Sequence, residues 1–223
     1  MMIKIENIEV MGWKAAIRGM RNPMNSWGKS DSGWHLIGKP GTNQAVANDK
    51  YLREKYCIGD NDLNLMKRLA KAGTDHRKFM RMIVVYVDII APLYWWKEFD
   101  TYKVGTVANS CSTMHKIAEK EFTENDFSFE NVVSDVATID FFLGRLNYAR
   151  DRYLETKDKK YWYSMIQLLP NSYNQRRTVM LNYEVLANIY KSRKEHKLDE
   201  WRVFCDWIQT LPLSELITGG TDE

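Results

Sequence analysis

Between residues 101 and 113 the chain crowds together hydroxyls, amides and a thiol: Thr101, Tyr102, Lys103, Thr106, Asn109, Ser110, Cys111, Ser112 and Thr113. Such groups hydrogen-bond a polar ligand, and segments of this kind at the end of a buried strand often hold ligands. A core strand followed by an ordinary amphipathic helix and loop accounts for the same composition. The thiol of Cys111 becomes a nucleophile only if neighbouring cations lower its pKa, and as a small buried residue it would be inert. No catalytic residue is therefore assigned. Lys97, Lys103, Arg176, Arg177 and Arg193 are cations from which an anion site could be built. His35, His115 and His196 lack metal-ligand spacing, and Cys57, Cys111 and Cys205 form no CxxC pair, so no metal site is expected.

The elements that must position these groups follow from periodicity. Residues 82–90 form an apolar run broken by Asp88 and stopped by Ala91-Pro92, and an aromatic block of Tyr94, Trp95, Trp96 and Phe99 follows. The run predicts an interior strand covered on both sides. Ile3, Ile5, Ile8 and Val10 nearly alternate with polar residues, which predicts a half-buried opening strand, and residues 13–20 predict a short helix. Residues 21–49 are rich in Gly, Asn, Ser and Lys and read as a long surface loop. In that loop Gly33 to Lys39 misses the GxxxxGK spacing of a phosphate loop, and Trp27 and Trp34 offer a contact patch for a protein partner. A helix over 62–72 is capped by Asp60 or Asn61, ended by Gly73 and buried along Leu63, Met66, Leu69 and Ala70. Further helices are predicted over 127–156 (stripe Val132, Val136, Ile139, Leu143, Leu146), 161–169, 175–197 and 199–210. The fold class is α+β with helix in excess around a small central sheet: one domain over 1–223 with a flexible tail at 219–223.

A chain of 223 residues with 44% apolar and 27% charged residues suits one soluble globular domain. A net charge of +3 does not mark a nucleic-acid binder and would not hinder a phosphorylated small molecule. The opening residues lack the apolar core of a signal peptide and no window approaches a membrane span, so a cytoplasmic protein is expected.

The stretch from His76 to Ile117 resembles the central region of the flavin-dependent thymidylate synthases, the ThyX family. That family's pattern runs His, a strand, Ala-Pro, Arg-Gln-Trp and the signature RHR-x7-S. Aligned without gaps, His76 falls on the flavin-contacting His, Ala91-Pro92 on Ala-Pro, and Lys97-Glu98-Phe99 on Arg-Gln-Trp. The signature becomes Thr101-Tyr102-Lys103, seven residues, Cys111. Near the C-terminus TVMLNYEVLANIYKSR resembles the family's late helix, with Asn182, Leu186, Asn188 and Arg193 on its Asn, Leu, Asn and Arg, and LDEWRVF resembles the ending that follows. The opening IEVMGWKAAIR is similar to the family's first strand and turn. In a continuous helix Asn182 and Arg193 would share a face roughly 16 Å apart, with Asn188 pointing about 120° away.

The resemblance implies a ThyX-like homotetramer in which each site is built from several chains. It implies FAD held by His76, Tyr102, Lys103, Asn109, Asn182 and Asn188, and a deoxyuridine nucleotide held by Glu98, Thr101, Cys111, Thr113 and Arg193. The implied activity is reductive methylation of dUMP to dTMP, with methylenetetrahydrofolate as carbon donor and NADPH as reductant. The departures are chemical. Of the signature's two arginines and histidine only Lys103 keeps a charge, Asn109 replaces a Glu, Thr113 an Arg, and Glu184 stands where the late helix has another Arg. Arginine grips phosphate with a planar fork, and a glutamate in its place would repel the anion. The alternative is thus an inactive or re-purposed nucleotide-binding relative. Neither nucleic acid nor membrane is expected as a partner.

Overall fold

The computed structural model describes residues 3–37, 53–133 and 135–219. Strand β1 (Lys4–Met11) leads through Gly12 into helix α1 (Trp13–Arg21). Two 3-10 turns (Asn22–Met24 and Trp27–Lys29) precede β2 (Gly33–Ile37), which pairs antiparallel with β3 (Arg53–Cys57). Helix α2 (Asp60–Lys71) and a 3-10 turn (Arg77–Met82) then lead into β4 (Val84–Pro92), α3 (Leu93–Phe99) and β5 (Val107–Ser110). A helical pair, α4 (Val136–Thr156) and α5 (Lys159–Leu168), precedes β6 (Asn174–Asn182). Helices α6 (Tyr183–Arg193), α7 (Asp199–Gln209) and α8 (Glu215–Thr218) complete the described fold. It is helix-rich, with a four-stranded antiparallel sheet in the order β1-β4-β6-β5.

The expected loop over 21–49 contains the two 3-10 turns and β2, and its residues 38–49 lie outside the described residues, as do 220–223 of the expected tail. Trp27 and Trp34 are both exposed. Trp27 Nε1 donates to Asn22 Oδ1 at 2.8 Å, and Trp34 packs edge-on against Tyr56.

Strand β4 is interior, between β1 and β6, but the sheet is covered on one face. Val85, Val87, Ile89 and Ala91 point into the main core, against residues from α1, α2, α3, α6, α7 and α8. The other face carries Val84, Tyr86, Asp88 and Ile90, which correct the expectation of cover on both sides. The physical reason is the polar rank across it. Asp88 accepts from Arg176 at 2.7 Å, Thr178 at 2.6 Å and Asn7 at 2.8 Å, and these donors hold its carboxyl well below the usual range. Asn7 reaches Asp88 because β1 slips register between Glu6 and Glu9, and Asn7 adopts a left-handed φ of 52° that Asn tolerates.

The predicted helix over 175–197 is a strand followed by a helix. Val179 and Leu181 face the core while Thr178 and Met180 face the open side, and α6 begins only after Asn182. The helix predicted from 127 begins at Val136, where Asp135 caps it by accepting from Thr138 N at 2.8 Å. Val132 and Val136 are exposed, and the stripe is buried only further on, where Leu143 and Leu146 join a second core with Phe127, Met165 and Phe122. Helix α2 is capped by neither Asp60 nor Asn61. Asp31, from the preceding connection, accepts from Asn61 N at 2.9 Å and Asp62 N at 3.1 Å. Its buried face is Leu65 and Met66 with Asp62, and Leu63 is only half-buried.

Gly12 turns β1 into α1 at a φ of +98°, and a Cβ there would lie 2.0 Å from the Met82 carbonyl oxygen. Both the left-handed backbone and the fixed carbonyl oppose a side chain. Gly12→Ala is expected to destabilise the fold by roughly 3 kcal/mol, measured as a lowered urea midpoint with unchanged slope.

Candidate functional site

The aromatic block does more than fill space. Trp95 and Phe99 of α3 pack against Trp201 and Phe204 of α7, with the Trp95 and Trp201 ring centroids 4.7 Å apart. Trp96 is pinned by its indole N–H, which donates to the Gln175 carbonyl at 2.9 Å. That packing sets Glu98, near the end of α3, beside Arg193, the last residue of α6.

Arg193 NH1 donates to Glu98 Oε2 at 2.7 Å and its Nε donates to the Tyr102 hydroxyl at 2.9 Å. Its guanidinium lies 4.8 Å from the Trp201 ring centroid and 5.7 Å from that of Tyr102, within cation–π range. Glu98 Oε2 also accepts from Trp201 Nε1 at 2.8 Å and stands 3.5 Å from His196 Nε2. His196 Nδ1 accepts from Leu198 N at 3.2 Å, so in the neutral ring the proton sits on Nε2, facing Glu98. Glu98 Oε1 has no hydrogen-bond partner among the described residues. The result is a fixed cation packed beside two edge-on aromatic rings, its charge answered by a carboxylate with one oxygen still able to accept.

The structure brings Glu98, Tyr102 and Arg193 together and sets the other sequence candidates elsewhere. Thr101 is exposed and its hydroxyl donates to the Glu98 carbonyl at 2.7 Å; Lys103 is exposed. Asn182 is the N-cap of α6: Oδ1 accepts from Val185 N at 3.0 Å and Nδ2 donates to the Gly105 carbonyl at 3.5 Å. As cap and last residue, Asn182 and Arg193 mark opposite ends of α6 rather than points along one long helix.

His76 is exposed at the start of the 3-10 turn before β4. Beside it, Arg77 NH2 donates to Asn188 Oδ1 at 2.8 Å, and Arg77 Nε lies 3.6 Å from Glu184. Glu184 is buried and also accepts from Arg81. The glutamate expected to repel an anion is therefore spoken for within the chain. Asn109 is exposed on β5 opposite Thr178. Cys111 and Thr113 line a separate cleft of about 690 Å³ at the start of β6. Cys111 is exposed, whereas Cys205 is buried and its thiol is pushed up to about 11 by that burial.

Residues missed at sequence level are Trp201, His196, Arg77 and Arg81. Trp201 lies in the LDEWRVF motif, a signal in plain view; the arginines meet Glu184 from more than 100 positions away, a pairing that no local pattern reveals. Among the described residues no three His, Cys, Asp or Glu side chains converge as metal ligands would, and no helix is long and apolar enough to cross a membrane.

No family model matches the chain, and neither does the sequence of any curated protein. Solved structures do match in fold. Thymidylate synthase X (ThyX) from Helicobacter pylori, in a crystal structure with FAD and dUMP, superposes with a TM-score of 0.68 at 15% identity, covering 98% of each chain. A second structure of the flavin-dependent enzyme from the same organism, also complexed with FAD and dUMP, gives a TM-score of 0.64 at 14% identity, covering 98% of this chain and 99% of that one. The chain has a ThyX-like fold.

Proposed function

We propose that the chain is a nucleotide-binding protein on a ThyX-like scaffold, with an anion grip rebuilt from that of the flavin-dependent thymidylate synthases. The observation that carries this reading is the Arg193–Glu98 pair, with the guanidinium packed against the rings of Tyr102 and Trp201. The half-buried ring of Tyr102 and a guanidinium fixed against the buried Trp201 suit a base and its phosphate. Glu98, where the resemblance implies an amide, neutralises that guanidinium and can only accept hydrogen bonds. A ligand must therefore offer a donor to Glu98 Oε1, and its phosphate must share Arg193 with a carboxylate. We assign ligand contact to Glu98, Thr101, Tyr102 and Arg193, and extend the reading to a homotetramer in which Cys111 and Thr113 come from a neighbouring chain.

The flavin fits in part. Of His76, Tyr102, Lys103, Asn109, Asn182 and Asn188, Lys103 alone is a lysine or arginine. Both amide atoms of Asn182 and the Asn188 carbonyl are already hydrogen-bonded within the chain. These groups suit the edge of a ring system and leave the pyrophosphate of FAD one ammonium. The residues present do not fit the whole cofactor, and no reaction step is derived through it.

A second reading is favoured by the full-length likeness to structures holding FAD and dUMP. It is reductive methylation of dUMP to dTMP with FAD, NADPH and methylenetetrahydrofolate. An absorbance spectrum of freshly purified protein, followed by titration with FAD and dUMP, separates the two. The first reading expects dUMP binding, no flavin band and no NADPH oxidation. Yellow protein that oxidises NADPH when supplied with FAD would establish the second.

A further inference from the structure

The hairpin of β2 and β3 carries aromatic surface that the Arg193 cluster does not use. Trp34 stands opposite Tyr56 across the two strands, and their rings meet edge-on at 5.5 Å. With Trp13, Lys14 and Arg18 of α1 they line a cavity of about 350 Å³. Trp13 and Tyr56 are half-buried and pack against the main core, and Trp13 is held edge-on by Tyr183 at 5.4 Å. Trp34 is 60% exposed. Two rings are thus fixed from below, while the third is held out over the cavity by the hairpin and offers its apolar surface to a ligand.

The charge around this cavity has one sign. Lys14 and Arg18 lie one helical turn apart on α1, both are exposed, and neither pairs with a carboxylate among the described residues. No aspartate or glutamate lines the cavity, and the first turn of α1 carries none. The carboxylate that Tyr56 senses, Asp62, is buried and committed to Arg21. Burial, with Asp62 second, raises the Tyr56 phenol above its ordinary value. Its hydroxyl therefore stays protonated, and it has no hydrogen-bond partner among the described residues.

Apolar ring walls and two unanswered cations select a flat ring that carries an anion. Ring-on-ring contacts favour an aromatic over an aliphatic occupant, and the cations favour a carboxylate over a neutral group. The volume is at the lower end of small-molecule sites, which suits a single or fused bicyclic ring rather than a protein surface.

We propose that this cavity binds a small aromatic carboxylate, with its ring against Trp13, Trp34 and Tyr56 and its carboxylate between Lys14 and Arg18. None of these five residues belongs to the Arg193 cluster or to the cleft at the start of β6. The ligand carries no phosphate, so the proposal goes beyond the function proposed above.

Naphthoate is the probe, titrated calorimetrically into the full chain beside naphthamide, cyclohexanecarboxylate and acetate. Naphthoate should bind, naphthamide and cyclohexanecarboxylate should each bind about tenfold more weakly, and acetate should give no heat. Trp34→Ala should weaken naphthoate about tenfold by removing one wall. The double variant Lys14→Gln, Arg18→Gln should weaken it to a similar extent, about tenfold, and leave naphthamide unchanged. These side chains are exposed, and an unchanged urea midpoint shows that the variants fold. Arg193→Gln should leave naphthoate binding intact, so a failure of the Arg193 reading would not carry this one with it. Equal affinity for naphthoate and cyclohexanecarboxylate, full affinity in either cavity variant, or loss of binding in Arg193→Gln would each overturn the proposal. Tighter binding of a short acidic peptide ending in phenylalanine would overturn it in favour of a peptide partner.

Discussion

Asp62→Ala is expected to cost about 4 kcal/mol of stability, because it strands a buried arginine. Asp62 is fully buried at the start of α2 and pairs with Arg21, itself 4% exposed, at 2.5 Å. Its other oxygen accepts from the hydroxyls of Ser30 at 2.6 Å and Ser32 at 2.7 Å, and from the backbone N–H of Asp31 and Ser32 at 3.2 Å. One carboxylate thus ties α1, the connection after it and α2 into a unit. Urea unfolding measures the loss. A cost below about 1 kcal/mol would mean that Arg21 finds water once its partner is gone.

The same group sets an acid limit. Burial alone would raise the Asp62 pKa, but hydrogen bonds from Ser30, Ser32 and Arg21 outweigh it, and the folded-state value lies below the ordinary one. A depressed carboxylate pKa stabilises the fold above the unfolded-state value of about 4, and that contribution is lost as pH falls through the folded-state value. Stability should decline below about pH 4, and more shallowly in Asp62→Ala. Asp88, depressed by Arg176, Thr178 and Asn7, keeps part of the decline in the variant.

Glu98→Gln is expected to tighten dUMP binding at the Arg193 cluster by roughly ten- to a hundredfold at low salt. The variant removes the charge that neutralises the guanidinium while keeping an oxygen that can accept from Trp201 Nε1 and His196 Nε2. The pair is partly exposed, so the gain should shrink as ionic strength rises. Adding Arg193→Gln should abolish it. Calorimetric titration of the single and double variants reads both effects, and affinity unmoved by Glu98→Gln would remove the Arg193–Glu98 pair from the binding site.

What could be read from the chain followed what is local in it. The opening strand, α1 and β4 announce themselves by alternation, by an apolar face and by an apolar run that only Asp88 interrupts. Strand β6 does not: Asn174 to Arg177 are polar, and Val179 and Leu181 are followed at once by the apolar face of α6, so the two elements blend into one apparent helix. Its strand character comes from β4 and β5 on either side, a non-local cause. The cap of α2 comes from Asp31 and the partners of Glu184 come from the turn before β4, so neither helix carries its own explanation. At the candidate site, Glu98, Tyr102 and Arg193 were legible as types in a familiar frame. That Glu98 holds Arg193, and that Cys111 and Thr113 lie in another cleft, depends on how α3 packs against α7.

The two outer strands of the main sheet bear on how copies of this chain can meet. β1 carries the register slip at Asn7, which kinks it, and Lys4 at its start; β5 is only four residues long. A kinked margin and a stub are poor templates for an incoming strand, so fibre-like growth through backbone ladders is disfavoured at both sides. Self-association of the folded chain should therefore leave the sheet at four strands per copy and proceed by side-chain packing on its uncovered face.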